Sequence, residues 1–284
     1  MPADHTLTAT VAFVAIGAGV LHASWNAVAK QFDDKLVAFA LVGVSSTVGG
    51  AVTLAVTGLP AGASIPFAIG SAAIHIAYYL ALMSAYRLGA FNQTYPIARG
   101  TSPLVIALGA YLIAGEGLAP LPLVGVIVLG AGLTSLAFTS RRVGGEELPA
   151  IAAALLTGLT IAAYSLVDGL GVRRAGDPFA YAGLLFLIQG PTFAAGAALR
   201  RGAAGWGDRA TCARGIAAGT VALVAYGLVL WAQTRAPLAE VAALRETSVI
   251  VAALIGLVFF HEGFGARRLA AAAAVAAGVI LIAL

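Results

Sequence analysis

The chain is divided by long stretches that contain no charged residue. No Asp, Glu, Lys or Arg occurs from residue 36 to residue 86, and shorter charge-free stretches cover residues 117–140, 148–167, 178–199 and 215–234. A helix needs about 20 apolar residues to cross a bilayer, so each stretch is long enough for at least one crossing. The pattern therefore predicts an all-α integral membrane protein that crosses the bilayer many times.

The composition excludes an ordinary soluble domain. Of the 284 residues, 61% are hydrophobic and 10% are charged, whereas a soluble domain carries about 25% charged residues. The net charge of +4 comes from arginines between the apolar stretches, and no basic cluster interleaved with aromatic residues predicts a nucleic-acid partner. The single cysteine, Cys212, excludes an intrachain disulfide and a cysteine-based metal site. The apolar run at the N-terminus has no preceding Lys or Arg, so we interpret it as a retained helix.

Proline and glycine positions divide the apolar stretches into ten predicted transmembrane helices. The connections between them are short, and no segment is long or polar enough to form a soluble domain. The predicted spans are residues 8–29, 36–57, 65–86, 91–113, 119–139, 148–171, 178–199, 211–233, 237–260 and 266–284.

The two halves of the chain share residues at a constant spacing, which indicates an internal repeat. A shift of 146 residues without a gap superposes identical residues near the ends of both halves. These pairs are Arg99 and Arg245, Thr101 and Thr247, Ser102 and Ser248, Glu116 and Glu262, Gly117 and Gly263, and Gly132 and Gly278. The sequence therefore predicts two five-helix repeats, at residues 1–140 and 147–284.

An odd number of helices per repeat makes the second repeat enter the membrane from the opposite side. Inverted repeats can pack in two related ways, open to one side or to the other, and so permit alternating access. Lys and Arg in short loops favour the cytoplasmic side. The loops after the odd-numbered helices contain eleven Lys and Arg residues, and the loops on the opposite face contain three. The odd-numbered loops are therefore predicted to be cytoplasmic, and both termini to lie outside the cytoplasm. The eleven are Lys30, Lys35, Arg87, Arg141, Arg142, Arg200, Arg201, Arg209, Arg214, Arg267 and Arg268, and the three are Arg173, Arg174 and Arg235.

Polar and ionisable residues at membrane depth are candidate site residues, because they are costly there unless they line a cavity or pair with each other. The third helix places His75, Tyr78 and Tyr79 on one face, which predicts an apolar pocket with hydrogen-bonding groups. Tyr86 lies two turns further on, beside Arg87, and is interpreted as an interfacial anchor.

The fourth and ninth helices each place an arginine in the apolar region. Arg99 shares a stripe with Asn92, Tyr95 and Ser102, interrupted by Pro96 and Pro103, and Arg245 has Ser248 and Glu246 nearby. Arg99 either clamps a substrate carboxylate in a bidentate fork or forms an internal ion pair. For Arg245 we expect mainly an ion pair with Glu246 or Glu240, while we keep it as a binding candidate.

The first, sixth and eighth helices supply the other candidates. Trp25 is a stacking platform and Asn26 an orienting amide, or else the amide joins two helices. Asp168 lies near the end of its helix, where solvation is the alternative to a role in carrying protons. The full set of predicted substrate-binding residues is Trp25, Asn26, His75, Tyr78, Tyr79, Tyr95, Arg99, Tyr164, Ser165, Tyr226 and Arg245.

Other chemistries lack their sequence motifs. There is no G-x-x-x-x-G-K-[ST] loop for ATP hydrolysis and no G-x-S-x-G nucleophile elbow, and the segment 261–265 lacks the second histidine of a zinc protease. No cofactor and no metal ion are predicted. A membrane-embedded enzyme acting on a lipid-soluble substrate is kept as the alternative from another class.

Three segments resemble the EamA-type carriers of the drug/metabolite transporter superfamily. They are residues 21–30 (LHASWNAVAK), the stretch from Pro96 through Pro103 to Glu116 and Gly117, and its repeat from Leu244–Ser248 to Glu262 and Gly263. The resemblance implies a duplicated five-helix fold, a central cavity lined by helices 1, 3, 4, 6, 8 and 9, and export of small metabolites. Trp25 and the tyrosine-rich third helix are most similar to exporters of aromatic and other amino acids.

The sequence thus predicts a secondary carrier in a bacterial inner membrane. Its expected partners are the lipid bilayer and a small molecule, an aromatic or apolar amino acid or a similar amphiphilic metabolite, with coupling to protons left open. The alternative within the same fold is an exporter of cationic drugs.

Overall fold

The structure, a computed structural model, describes residues 6–89, 91–135, 148–201, 206–251 and 266–284. All regular structure in these residues is helical, which confirms the all-α prediction. The helices are α1 (Ala9–Lys30), α2 (Lys35–Thr57), α3 (Ile65–Leu88), α4 (Phe91–Gly109), α5 (Pro120–Ser135), α6 (Leu148–Val172), α7 (Pro178–Arg201), α8 (Arg209–Gln233), α9 (Leu238–Arg245) and α10 (Ala266–Ala283).

Most of the predicted spans correspond to long helices. Among the described residues, seven helices are long and apolar enough to cross a membrane, and α5 and the apolar part of α10 (Ala270–Ala283) are shorter. The ten predicted spans therefore correspond to seven full-length helices, two shorter apolar helices and α9.

Helix α9 ends much earlier than the sequence predicts. A continuous span was expected over residues 237–260, but α9 stops at Arg245, residues 246–247 form a turn, and helical backbone resumes at residues 248–251. Glu246 takes the C-cap position of α9. The rest of the predicted span, residues 252–265, lies outside the described part of the chain. An interrupted helix at membrane depth is tolerated only where other protein groups surround the free backbone.

Short polar side chains and glycines set the helix ends. The side chain of Thr8 caps α1 through the backbone N of Val11, and that of Asp34 caps α2 through the backbone N of Leu36. Gly58 ends α2 with a φ of 77°, a left-handed value that suits a residue without Cβ. Asp208 caps α8, and hydrogen bonds from Thr211 lower the pKa of the Asp208 carboxyl.

Helix α4 continues through both of its prolines. Pro96 and Pro103 lie inside Phe91–Gly109, and the chain then passes into a π-helical turn over Ala110–Ala114. Gly115 ends this turn in the left-handed region, with a φ of 69°. The two prolines therefore do not divide the helix that carries the polar residues of this segment.

The most extensive helix pairings join the two halves of the chain. They are α1 with α8, α2 with α7, α3 with α6 and α5 with α10. Gly43 lies so close to α7 that a Cβ there would be 2.7 Å from the carbonyl O of Gly190, and a Cβ on Gly125 would be 2.7 Å from that of Gly278. Small residues at these positions let the backbones meet.

The outer surface of the bundle is apolar. Large hydrophobic side chains are exposed along its helices, including Phe13, Val52, Leu112, Ile127 and Leu159. A water-soluble protein does not leave so many apolar side chains uncovered, whereas lipid tails solvate them. The polar residues described below lie inside the bundle.

Candidate functional site

A cluster of aromatic rings from α3, α6 and α8 occupies the centre of the bundle. The rings of His75 and Tyr164 are stacked, with centroids 4.0 Å apart and an interplanar angle of 24°. Tyr226 meets His75 edge-on at 5.8 Å, and Tyr78 meets Tyr164 edge-on at 5.6 Å. The structure thus brings together four of the predicted site residues, from both halves of the chain.

The cluster continues towards α2 and α7 through a second set of rings. Tyr78 and Tyr79 lie side by side, with centroids 4.8 Å apart. Tyr79 contacts Phe193 at 4.4 Å and Phe39 at 5.3 Å, both edge-on. The sequence analysis missed the two phenylalanines, because a lone Phe in an apolar helix carries no pattern that separates a site from a lipid contact.

His75 is held in one orientation by its own helix. Its Nδ1 lies 2.9 Å from the carbonyl O of Ser71 and 3.2 Å from the Ser71 hydroxyl. Because a carbonyl oxygen only accepts, Nδ1 carries the proton in this arrangement, and Nε2 is the nitrogen that can accept one. The ring is therefore fixed for stacking on Tyr164.

Asp168 is completely buried next to this cluster. Of the two alternatives for this residue, solvation at the helix end is wrong, because its exposed fraction is 0%. The hydroxyl of Tyr181 donates to Oδ1 at 2.9 Å, and the hydroxyl of Tyr226 donates to Oδ2. These two bonds tie α6 to α7 and α8. Tyr181 has the largest fully buried side chain of the chain's described part, and no periodic signal in the sequence marks it as a partner of Asp168.

Arg99 forms a buried ion pair with Glu246. Its Nε lies 2.7 Å from Oε2 of Glu246, and its Nη2 donates to the hydroxyl of Ser248 at 2.9 Å. The side chains of Arg99 and Glu246 are 6% and 0% exposed. Of the two alternatives for Arg99, the structure shows the internal ion pair, which joins α4 to the interruption after α9.

Arg245 is buried but does not pair as expected. Neither Glu246 nor Glu240 forms an ion pair with it, so that prediction is wrong, because Glu246 is engaged by Arg99 from the other half of the chain. Arg245 is 4% exposed. Its Nε and Nη2 are buried and have no hydrogen-bond partner among the residues that the structure describes. These two atoms form one side of the guanidinium fork that binds carboxylates.

Charged groups of both signs lie near the aromatic cluster. His75 and Tyr164 each interact electrostatically with Asp168 and with Arg245, and Tyr164 also interacts with Arg99. The cluster therefore lies close to a buried carboxyl and to a buried guanidinium, so the site offers one group of each sign together with ring surfaces.

The two α1 candidates, Trp25 and Asn26, both hydrogen-bond to His22 of the same helix. The indole N–H of Trp25 donates to Nδ1 of His22 at 3.3 Å, and the Asn26 amide donates to the carbonyl O of His22 at 2.7 Å. His22 interacts electrostatically with Arg99 and Arg245, so this face of α1 is directed towards the arginines. The bond that the structure shows for Asn26 lies within its own helix rather than between helices, and its role in orienting a substrate stays a prediction.

The other predicted residues divide between buried positions and undescribed side chains. Ser165 is 1% exposed and its hydroxyl has no partner in the described residues, while its carbonyl O accepts from the Gln233 amide at 3.4 Å. The side chains of Tyr86, Asn92 and Tyr95 lie outside the described part of the structure, as does Glu262. No group of three or more His, Cys, Asp or Glu that could hold a metal ion occurs in the described ranges.

A second polar network closes one end of the bundle. Glu116 accepts a hydrogen bond from the backbone N of Leu238 at 2.8 Å and forms an ion pair with Arg173. Arg173 also donates to the carbonyl oxygens of Gln233 at 2.7 Å and Ala236 at 2.9 Å. The network therefore joins the turn after α4 to the ends of α6 and α8 and the start of α9.

Together, the apolar surface, the long helices and the buried polar centre define a multi-pass α-helical membrane protein. Residues 148–284 match the EamA-like transporter family. The second half of the chain is thus similar to this family, which is part of the drug/metabolite transporter superfamily that the sequence motifs resemble. The members of this family are membrane transporters.

The solved structures support the fold. Twenty-nine chains of known structure match. One, titled only as the crystal structure of a protein, superposes with a TM-score of 0.74 at 17% sequence identity, covering 96% of this chain and 94% of that chain. No match is found among the curated proteins.

Proposed function

We propose that this protein exports amino acids with aromatic or apolar side chains, or similar amphiphilic carboxylates, across a bacterial inner membrane. The observation that carries this proposal is the buried guanidinium of Arg245, whose Nε and Nη2 have no partner in the described residues. A buried charge without a counter-charge is unfavourable, and a substrate carboxylate would supply the missing charge and two hydrogen bonds.

The neighbouring rings fit the rest of such a substrate. Stacked and edge-on rings provide apolar surface, and tyrosine hydroxyls bind polar groups. Tyr78, Tyr79 and Phe193 form this surface at one end of the cluster, and Tyr164 connects it to the arginines. A carboxylate at Arg245 and an apolar side chain against the tyrosines would therefore use both parts of the site.

Alternating access between inverted repeats at residues 1–140 and 147–284 is the mechanism that we propose. Each helix can be exchanged for the one at the same position in the other half, so that α1 becomes α6 and α6 becomes α1. Under this exchange the pairing of α3 with α6 corresponds to that of α8 with α1, and the pairing of α2 with α8 corresponds to that of α7 with α3. Packing that is unchanged by this exchange supports a duplicated unit. Such repeats allow two equivalent packings around one site.

A cationic drug exporter is the second candidate, and a specific observation favours it. Asp168 is a buried carboxyl beside aromatic rings, and that combination also binds organic cations. An intramembrane enzyme stays an alternative from another class, and it would change its substrate chemically.

Counterflow in liposomes that contain only this protein tests these possibilities. Vesicles preloaded with unlabelled phenylalanine should accumulate labelled phenylalanine, and unlabelled organic cations should drive that exchange much less. Exchange of tetraphenylphosphonium without exchange of any amino acid in a panel would support the drug exporter instead. Recovery of a chemically altered substrate would contradict transport altogether.

A further inference from the structure

We propose that Asp168 is a proton-binding site of the carrier, and that the positively charged group of the substrate displaces this proton. The inference rests on the proposed transport function and adds a second ligand, the proton, at a residue outside the predicted substrate-binding set. It begins from a carboxyl group that is fully buried in a membrane-embedded bundle.

The immediate contacts of Asp168 provide hydrogen bonds but no positive charge. The hydroxyls of Tyr181 and Tyr226 donate to its two oxygens, and the Ser71 side chain forms a further hydrogen bond with it. No Lys, Arg or His nitrogen within the described ranges forms an ion pair with it. An ionised carboxylate in such a place lacks a counter-charge, and a buried acid of this kind takes up a proton instead.

The ionisable neighbours come from each helix that surrounds Asp168. His75 faces it from α3, Tyr181 from α7 and Tyr226 from α8, and Tyr164 lies one turn away on α6 itself. Arg99 from α4, Arg245 from the end of α9 and Glu246 just after it interact electrostatically with Tyr164. From α9, Glu240 lies near Glu116, in the network at the end of the bundle. His75 donates its Nδ1 proton to the carbonyl O of Ser71, and within the described ranges it forms no ion pair with Asp168.

The site can therefore exchange one positive charge for another. The neutral carboxylic acid loses its O–H proton to water, and the ammonium group of the substrate becomes the counter-ion of the resulting carboxylate. The charge at the site is the same before and after this exchange, so neither state leaves a buried ion alone. Binding of the substrate cation and release of the proton are then reciprocal.

The first test observes the proton without any substrate. Infrared difference spectra between the unmodified protein and Asp168→Asn, at neutral pH in lipid, should contain the C=O band of one protonated carboxylic acid. Asp33→Asn, which removes an exposed carboxylate, is the matched control and should not remove such a band. An Asp168→Asn spectrum with only a carboxylate band missing would overturn the proposal.

A second variant keeps Asp168 in place, in case Asp168→Asn does not fold. Tyr181→Phe removes one O–H donor that stabilises the ionised carboxylate, so the acid band should persist to higher pH than in the unmodified protein. An unchanged titration midpoint would contradict the assignment.

The exchange itself is tested by proton release into weakly buffered solution with a pH indicator dye. Phenethylamine, which carries the ammonium and the ring, should release up to one proton per site, and 3-phenylpropionate, which lacks the ammonium, should release none. Asp168→Asn should abolish the release. If the unmodified protein shows the infrared acid band but transports no amino acid, the proposed function is contradicted and the proton site is retained. If it transports amino acids but shows no acid band, the proton site is contradicted and the proposed function is retained.

Discussion

The guanidinium of Arg99 and the carboxylate of Glu246 lie 2.7 Å apart in the interior of the bundle. The two residues are far apart in sequence, and the pair joins α4 to the interruption between α9 and residues 248–251. A pair so fully buried is held by its own attraction and by the hydroxyl of Ser248. Arg245, which matches Arg99 in the second half, forms no such pair with any residue that the structure describes, so the two halves differ at this point.

Removal of either partner of this ion pair should destabilise the protein. Arg99→Gln leaves the Glu246 carboxylate buried without a counter-charge, at an expected cost of about 3–5 kcal/mol. Folded yield should fall, and flux per folded molecule should fall equally for amino acids and organic cations. Thermal unfolding in detergent and matched-level flux assays measure both effects.

The double variant Arg99→Gln with Glu246→Gln should recover part of the lost stability, since no isolated charge remains. Arg174→Gln, on an exposed arginine, serves as the control and should change little. If Arg99→Gln selectively reduced amino-acid flux at normal stability, Arg99 rather than Arg245 would be the carboxylate ligand.

Arg245→Gln should change substrate choice. A charged hydrogen-bond pair contributes about 1.5–3 kcal/mol, which corresponds to roughly a 10- to 100-fold loss of amino-acid flux at low concentration. Flux of organic cations should be spared, because the positive charge that repels them is removed. The ratio of the two fluxes is the measurement, with Arg235→Gln as the exposed control. An unaltered ratio would rule out the carboxylate role of Arg245.

Tyr78→Ala and Tyr79→Ala should weaken transport of bulky apolar substrates. Lost ring contacts and apolar burial contribute about 1–3 kcal/mol per site, so KM should rise more for phenylalanine than for alanine. Tyr111→Ala is the matched control, because that tyrosine is 64% exposed on the outer surface. Equal substrate affinity in all three variants would place the pair among packing residues.

Both termini should face the periplasm if the loop charges set the orientation. In a Cys212→Ala background, a cysteine introduced at Gly62 or Leu284 should react with a membrane-impermeant maleimide in intact cells, and one at Asp33 should react only after the inner membrane is opened. Gly62 and Asp33 lie in connections on opposite predicted sides. The reverse pattern would show that the orientation is inverted.

Charge-free stretches predicted most of the helices well. The first span was expected at residues 8–29 and the helix covers Ala9–Lys30, and the sixth was expected at 148–171 and covers Leu148–Val172. Bilayer thickness imposes a length that the sequence directly reveals. The interruption after Arg245 was missed, because a turn surrounded by protein requires no glycine or proline to mark it.

The site was predicted in its residue types more than in its pairings. His75, Tyr78, Tyr164 and Tyr226 do meet, since residues that avoid lipid must turn inwards. The predicted ion-pair partner of Glu246 was wrong. Arg245 is adjacent in sequence and suggested a local pair, whereas only tertiary packing brings Arg99 close to Glu246. Asp168 was placed near a helix end, but its burial depends on a tyrosine of the next helix.

The glycine contacts between α2 and α7 and between α5 and α10 limit how this bundle can move. Where the backbones themselves interlock, as at Gly43 and Gly190, one helix cannot slide past the other without first separating from it. These two helix pairs therefore form rigid units, and the helices that carry the polar residues pack beside them. A rearrangement that opens the centre then occurs by tilting of the other helices, α1, α3, α4, α6, α8 and α9, against these two rigid pairs. A bulky residue at Gly43 or Gly125 would therefore impair folding of the bundle before it changed substrate selectivity.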